Sequence, residues 1–148
     1  MQKLKVHSGD WVVVCDGKKA LILENRGDEK FPNLHTMEAF EHTDLPTHVQ
    51  GVSAPGRVHQ SMGTARSTIE QTDWHDEAER AFLHCLANKL DQALKASQAK
   101  ALIVVAPPRA LGMLRQNYSP SIRHALRSEI DKDLVKFPIY EIEKRLFS

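Results

Sequence analysis

The chain has 148 residues, of which 41% are hydrophobic and 26% charged. That fits one ordinary globular domain, expected to span 1–148, and excludes a disordered chain, which pairs low hydrophobicity with high net charge. Twenty basic and 19 acidic residues give +1, which excludes a protein that is basic all over. The sum hides an asymmetry. From Gln92 to Ser128 there is no Asp or Glu, while Lys95, Lys100, Arg109, Arg115, Arg123 and Arg127 fall inside. That window carries +6, so the remainder carries −5.

In chain order, the first ten residues contain no apolar run of signal-peptide length. Trp11 to Cys15 is a β-branched run that reads as a buried strand. Asp16-Gly17 signals a turn, lengthened by Lys18 and Lys19, and Ala20 to Glu24 returns as a second strand. A polar loop over 25–33 leads to a third strand over 34–42. The segment 43–72 has no usable period, carries Pro46, Gly51, Pro55, Gly56 and Gly63, and reads as a long irregular loop.

Trp74, Ala78, Phe82, Cys85, Leu86, Leu90 and Ala93 then recur at helical spacing, with Asp73 as the expected N-cap. Ala101 to Ala106 is an all-apolar strand stopped by Pro107-Pro108, and 109–118 reads as a helix. Ser119-Pro120 is an N-cap with Pro at the first helical position. The helix it opens is expected to run on through Ile122, Ala125, Leu126 and Ile130. A short last strand is expected at Asp133 to Val135, and a terminal helix from Pro138. The order is β-β-β-α-β-α-α-β-α. It implies an α/β fold with a mixed sheet, an antiparallel meander followed by alternating helices, as in the ribonuclease H-like architecture.

No stretch approaches a membrane span of about 20 apolar residues. Cys15 and Cys85 lack metal-ligand spacing and read as reduced thiols of a cytoplasmic protein. Eight histidines form no HxH or HExxH pattern. No metal, cofactor or catalytic set is expected. A ribonuclease H-like nuclease needs several carboxylates converging on metal ions. Asp16 reads as a turn residue, and the strand ending at Ala106 brings no carboxylate, so a nuclease is excluded.

Arg109 follows a buried strand and opens a helix, the crevice position where open α/β sheets bind ligands. Arg123 and Arg127 are spaced i,i+4 and are expected to share an exposed helix face. With Arg109 and Arg115 they form a candidate basic patch for RNA phosphates. Arg57 in the long loop is a candidate recognition element, with Gly56, Gln60 and Arg66 beside it.

Several segments together resemble the bacterial host attachment protein family. The matching pieces are Trp11 to Ala20, Pro55-Gly56-Arg57, Thr72-Asp73-Trp74-His75, Val104 to Gly112 with its Ala-Pro-Pro-Arg-Ala-Leu-Gly run, and Glu129 to Leu134. That family is similar in turn to the middle domain of archaeal and eukaryotic class-1 release factors, of ribonuclease H-like fold. The resemblance implies that fold and an association with RNA or the ribosome. It does not carry over hydrolysis, because the Gly-Gly-Gln of release factors is missing and only Gly56-Arg57-Val58-His59-Gln60 stands in the corresponding loop. The expectation is a non-enzymatic cytoplasmic RNA- or ribosome-associated module. The alternatives are a protein-interaction factor for host attachment and a hydrolase using Gln60. Oligomeric state and partner identity are left open.

Overall fold

The computed structural model describes residues 4–42 and 64–147, with side chains in the long helix from His75 onward. In chain order the elements are β1 (Trp11–Cys15), β2 (Lys19–Asn25), β3 (Leu34–Glu41), α1 (Thr64–Lys95), β4 (Leu102–Ala106), α2 (Pro108–Arg115), α3 (Pro120–Ala125), β5 (Leu126–Asp131) and α4 (Ile139–Phe147). The five strands form one sheet in the order β3-β2-β1-β4-β5. The β1–β2 and β2–β3 pairs are antiparallel, and the β1–β4 and β4–β5 pairs parallel. This is the expected mixed α/β sheet.

The two central strands explain themselves by burial. All five residues of β1 and all five of β4 are buried. Side chains alternate across a strand, so Trp11, Val13 and Cys15 face one layer while Val12 and Val14 face the other. The first layer is α1, α2 and α3, which bring Phe82, Leu86, Leu90, Leu114 and Ile122 onto the sheet. Phe82 meets Phe40 of β3 at a ring distance of 5.3 Å. The second layer is α4 with Ile142 and Leu146, together with Leu134, Val135 and Val6. Helices therefore cover both faces, as a sheet with buried central strands requires.

Four sequence expectations are corrected. The helix opened by Ser119 ends at Ala125 instead of running to Ile130, and the last strand is Leu126–Asp131 instead of 133–135. β4 is fully buried and has one edge on β1. Its other edge must be paired too, since buried backbone groups left without partners are costly. Residues 126–131 supply that pairing in parallel register, Val104 against Glu129 and Val105 against Ile130. Leu134 and Val135 are buried as a packed turn, not a strand. Arg123 and Arg127 therefore do not share a helix face, because Arg127 lies on β5. Finally, α1 starts at Thr64, so 64–72 is helical and Asp73 is interior to the helix, not its cap. Extending an existing helix needs no new nucleus, so a well-packed segment carries its N-terminal flank along. The Ser119 cap is as expected, its hydroxyl accepting from the Ile122 N–H at 3.1 Å.

Candidate functional site

The parallel strands β1 and β4 end on the same edge of the sheet, at Cys15 and Ala106. The chain turns there from β1 into β2. Asp16 shapes the turn: one carboxylate oxygen accepts from the backbone N–H groups of Lys18 and Lys19, each at 2.8 Å. The residue is thus a turn former, as its position before Gly17 suggests. Gly17 is buried directly against the carboxylate of Glu79 on α1, where a Cβ would collide with it. Glu79 in turn holds Arg109, with the guanidinium 3.2 Å from the carboxylate, and Asp76 pairs with the same guanidinium. The helix start that looked ready to take an anion already has its arginine engaged by two acids of α1.

The other arginines of the acid-free window are also mostly engaged. Arg115 binds Glu129 at 2.9 Å, and the Tyr118 hydroxyl donates to the same carboxylate at 2.7 Å. Burial works against the charge on Glu129, but the bonds from Arg115 and Tyr118 outweigh it and hold the carboxyl below its usual range. Tyr118 is pushed well above the usual phenol range by burial and by the neighbouring carboxylate. Arg127 pairs with Asp10, whose side chain is only 6% exposed. Lys95 pairs with Asp91 at 2.9 Å. Arg123 is exposed and has no ion pair among the described residues, and the same holds for Lys100. Nor do these residues converge. Arg109 lies beyond the last residue of β4, whereas Arg127 follows Leu126, which pairs with the first residue of β4. Arg57, Gly56 and Gln60 lie outside the described residues, and Arg66 falls in the first turn of α1 with its side chain outside them.

The convergence that the chain does build is elsewhere. Lys18 and Lys19 of the β1–β2 turn and Lys136, just before α4, line one cavity of about 350 Å³ at the carboxyl edge of the sheet. Val135, 1% exposed, is part of its wall. None of the three lysines has an acidic partner among the described residues. Asp16, Glu41 and Glu79 stand in the same wall. Asp16 is engaged by the turn, Glu79 by Arg109, and Glu41 also has a partner. Lys18 and Lys19 are visible in the sequence only as a lengthened turn, and Lys136 as one basic residue ahead of Phe137-Pro138. No local pattern ties them together.

Neither cysteine is set up as a nucleophile. Burial pushes the Cys15 thiol up to about 12. Cys85 borders a cavity of about 430 Å³ between α1 and α2, and its thiol is raised by partial burial, against the influence of Lys89. Thiols shifted this way are inert at neutral pH. Among the described residues, no group of three His, Cys, Asp or Glu is placed to hold a metal ion. No described helix is long and apolar enough to cross a membrane.

Comparison with known proteins gives three findings. A protein of Rickettsia prowazekii (strain Madrid E), the uncharacterised RP470, is 32% identical over 108 residues, 71% of this chain and 72% of its own. A chain of the ribosome-bound archaeal Pelota and ABCE1 assembly is similar in structure, with a TM-score of 0.47 and 18% identity. That similarity covers 91% of this chain and 31% of the other, so this chain spans about a third of its length. The model of the family described as "protein required for attachment to host cells" matches residues 11–146, and the chain belongs to that family.

Proposed function

We propose that this member of the host attachment family is a non-enzymatic, cytoplasmic module that associates with RNA or the ribosome. The observation that carries the reading is the gathering of Lys18, Lys19 and Lys136, without acidic partners among the described residues, at the ligand-binding edge of the sheet. Unpaired lysines on one concavity raise the local concentration of anions and suit phosphate groups. The sequence resemblance to release-factor middle domains points to the same class of partner. Of the sequence-derived patch, Arg123 contributes as a further free phosphate contact, while Arg109, Arg115 and Arg127 contribute only if their acids let go. Arg57, Gly56, Gln60 and Arg66 keep the role of recognition elements in this proposal.

The test is binding of the full chain to ribosomes and to a structured RNA from low to moderate salt. Affinity should fall with salt, with a slope of about −0.9 per neutralised duplex phosphate. No binding at low salt, or affinity indifferent to salt, contradicts the reading.

A second reading is a protein-interaction factor acting in host attachment. It is favoured by β3, an edge strand whose Met37 is 46% exposed, and by Phe31 in the preceding loop, 70% exposed. Open strand edges with exposed apolar side chains accept partner chains. A partner recovered by pull-down that survives nuclease treatment would favour this reading, and loss of the partner on that treatment would favour RNA.

A further inference from the structure

We infer that the cavity between the β1–β2 turn and residues 135–136 is a phosphate site, with the Lys18, Lys19 and Lys136 ammonium groups as its donors. The inference rests on the RNA reading for what carries the phosphate, not for the site itself. Two segments far apart in the chain bring three cations to one wall; Asp16, Glu41 and Glu79 line the same cavity, but none of the three lysines is ion-paired to an acid among the described residues. The acids nearby are diverted. Arg109 holds Glu79, the two backbone N–H groups of the turn hold Asp16, and Glu41, the third acid of the wall, also has a partner. Arg109 is therefore a positioning residue: it engages the Glu79 carboxylate that lines the cavity.

The backbone that carries the donors is held in place. The Asp16 turn fixes the backbone at Lys18 and Lys19, and buried Val135 anchors Lys136. What is left for the ligand to order is the three lysine side chains themselves. The stoichiometry favours phosphate over carboxylate: a phosphate group presents three strong acceptor oxygens to three ammonium groups, a carboxylate only two.

The experiment is a titration of the labelled full chain with sodium phosphate, following backbone amide shifts, against sodium chloride at matched ionic strength. Saturable shifts at Gly17, Lys18, Lys19 and Lys136 are expected with phosphate alone, and they should vanish in Lys18→Ala/Lys19→Ala/Lys136→Ala. Lys136→Glu, a single charge reversal, should abolish them too and guards against a misfolded triple variant. Equal shifts with chloride, or shifts that persist in both variants, would overturn the site. A parallel arm measures a structured RNA. Weaker RNA binding by the triple variant supports the site with RNA as carrier. Saturable phosphate binding without any RNA binding supports the site, overturns the RNA reading and assigns a free phosphate compound. RNA affinity unchanged in the triple variant, with no phosphate-specific shifts, overturns the site and leaves the RNA reading standing.

Discussion

Two basic regions of this protein differ in what their charges are doing. The window 92–128 holds six cations and no acid, yet four of the six are held by acids from elsewhere in the chain. The turn at 16–19 holds only two lysines next to an aspartate, yet both are free, and Lys136 joins them. Counting charge along a chain locates an excess. It does not locate availability, because partners come from the whole fold. Arg115 and Arg127 tie the edge strand β5 to α2 and to the entry of β1, so their work is structural. Lys18, Lys19 and Lys136 have no ion pair among the described residues, which leaves them available to the ligand proposed above.

Substitutions can break that contrast, and the largest effect belongs to Arg127. Arg127→Ala strands a nearly buried Asp10 carboxylate, left with only the His7 N–H. Uncompensated buried charge costs about 3–5 kcal/mol, with the remaining bond placing this case at about 3. Thermal or denaturant unfolding would register it, whereas a change under about 0.5 kcal/mol would show Arg127 to be a free surface charge. A double substitution of Arg123 and Arg127 is therefore no clean test of binding.

Glu129 ranks next. Glu129→Gln weakens the bonds from Arg115 and Tyr118, costing about 1.5–3 kcal/mol at neutral pH, the range for hydrogen bonds to charged groups. Its folded carboxyl lies below the ordinary value of 4.5. The unfolded chain therefore takes up the proton first as pH falls. The stabilisation is present above about 4.5 and is lost as pH drops through the folded value. The stability gap between wild type and Glu129→Gln should close in acid. A gap that stays constant with pH would remove the ion pair from the account.

The lysine substitutions should separate stability from binding. Lys18→Ala/Lys19→Ala/Lys136→Ala should leave unfolding within about 0.5 kcal/mol, since no side-chain partner is lost. The same change should flatten the salt dependence of RNA binding by about 0.9 per lost contact. Smallest of all is Arg123→Ala: exposed and without an ion pair among the described residues, it should leave stability unchanged and lower the salt slope by about one. A destabilised Arg123→Ala would mean that it too is structural.

Much of the fold is legible in the sequence where local signals and tertiary demands agree. Trp11–Cys15 and Leu102–Ala106 are apolar runs bounded by Asp16-Gly17 and Pro107-Pro108, and they are the two buried central strands. The Ser119-Pro120 start is also where the sequence puts it. The last strand is not legible. Ile122, Ala125, Leu126 and Ile130 keep helical spacing, but the open edge of buried β4 draws 126–131 into the sheet. That edge is a property of the assembled sheet, not of the local segment. The same holds for charge. Asp16 is readable as a turn former from its neighbour Gly17. The pairing of Arg109 with Asp76 and Glu79, and the meeting of Lys136 with Lys18 and Lys19, depend on how α1 and the segment before α4 lie against the sheet.

The central claim is that the free lysines, with Arg123, and not the acid-paired arginines of the window, make the ligand contact. Its most direct test is the salt dependence of RNA affinity for three proteins: wild type, Lys18→Ala/Lys19→Ala/Lys136→Ala, and Arg115→Ala. The account predicts a flatter slope and weaker low-salt binding for the lysine variant, with Arg115→Ala following wild type wherever it remains folded. A lysine variant indistinguishable from wild type, beside an Arg115→Ala that loses binding while folded, would contradict it.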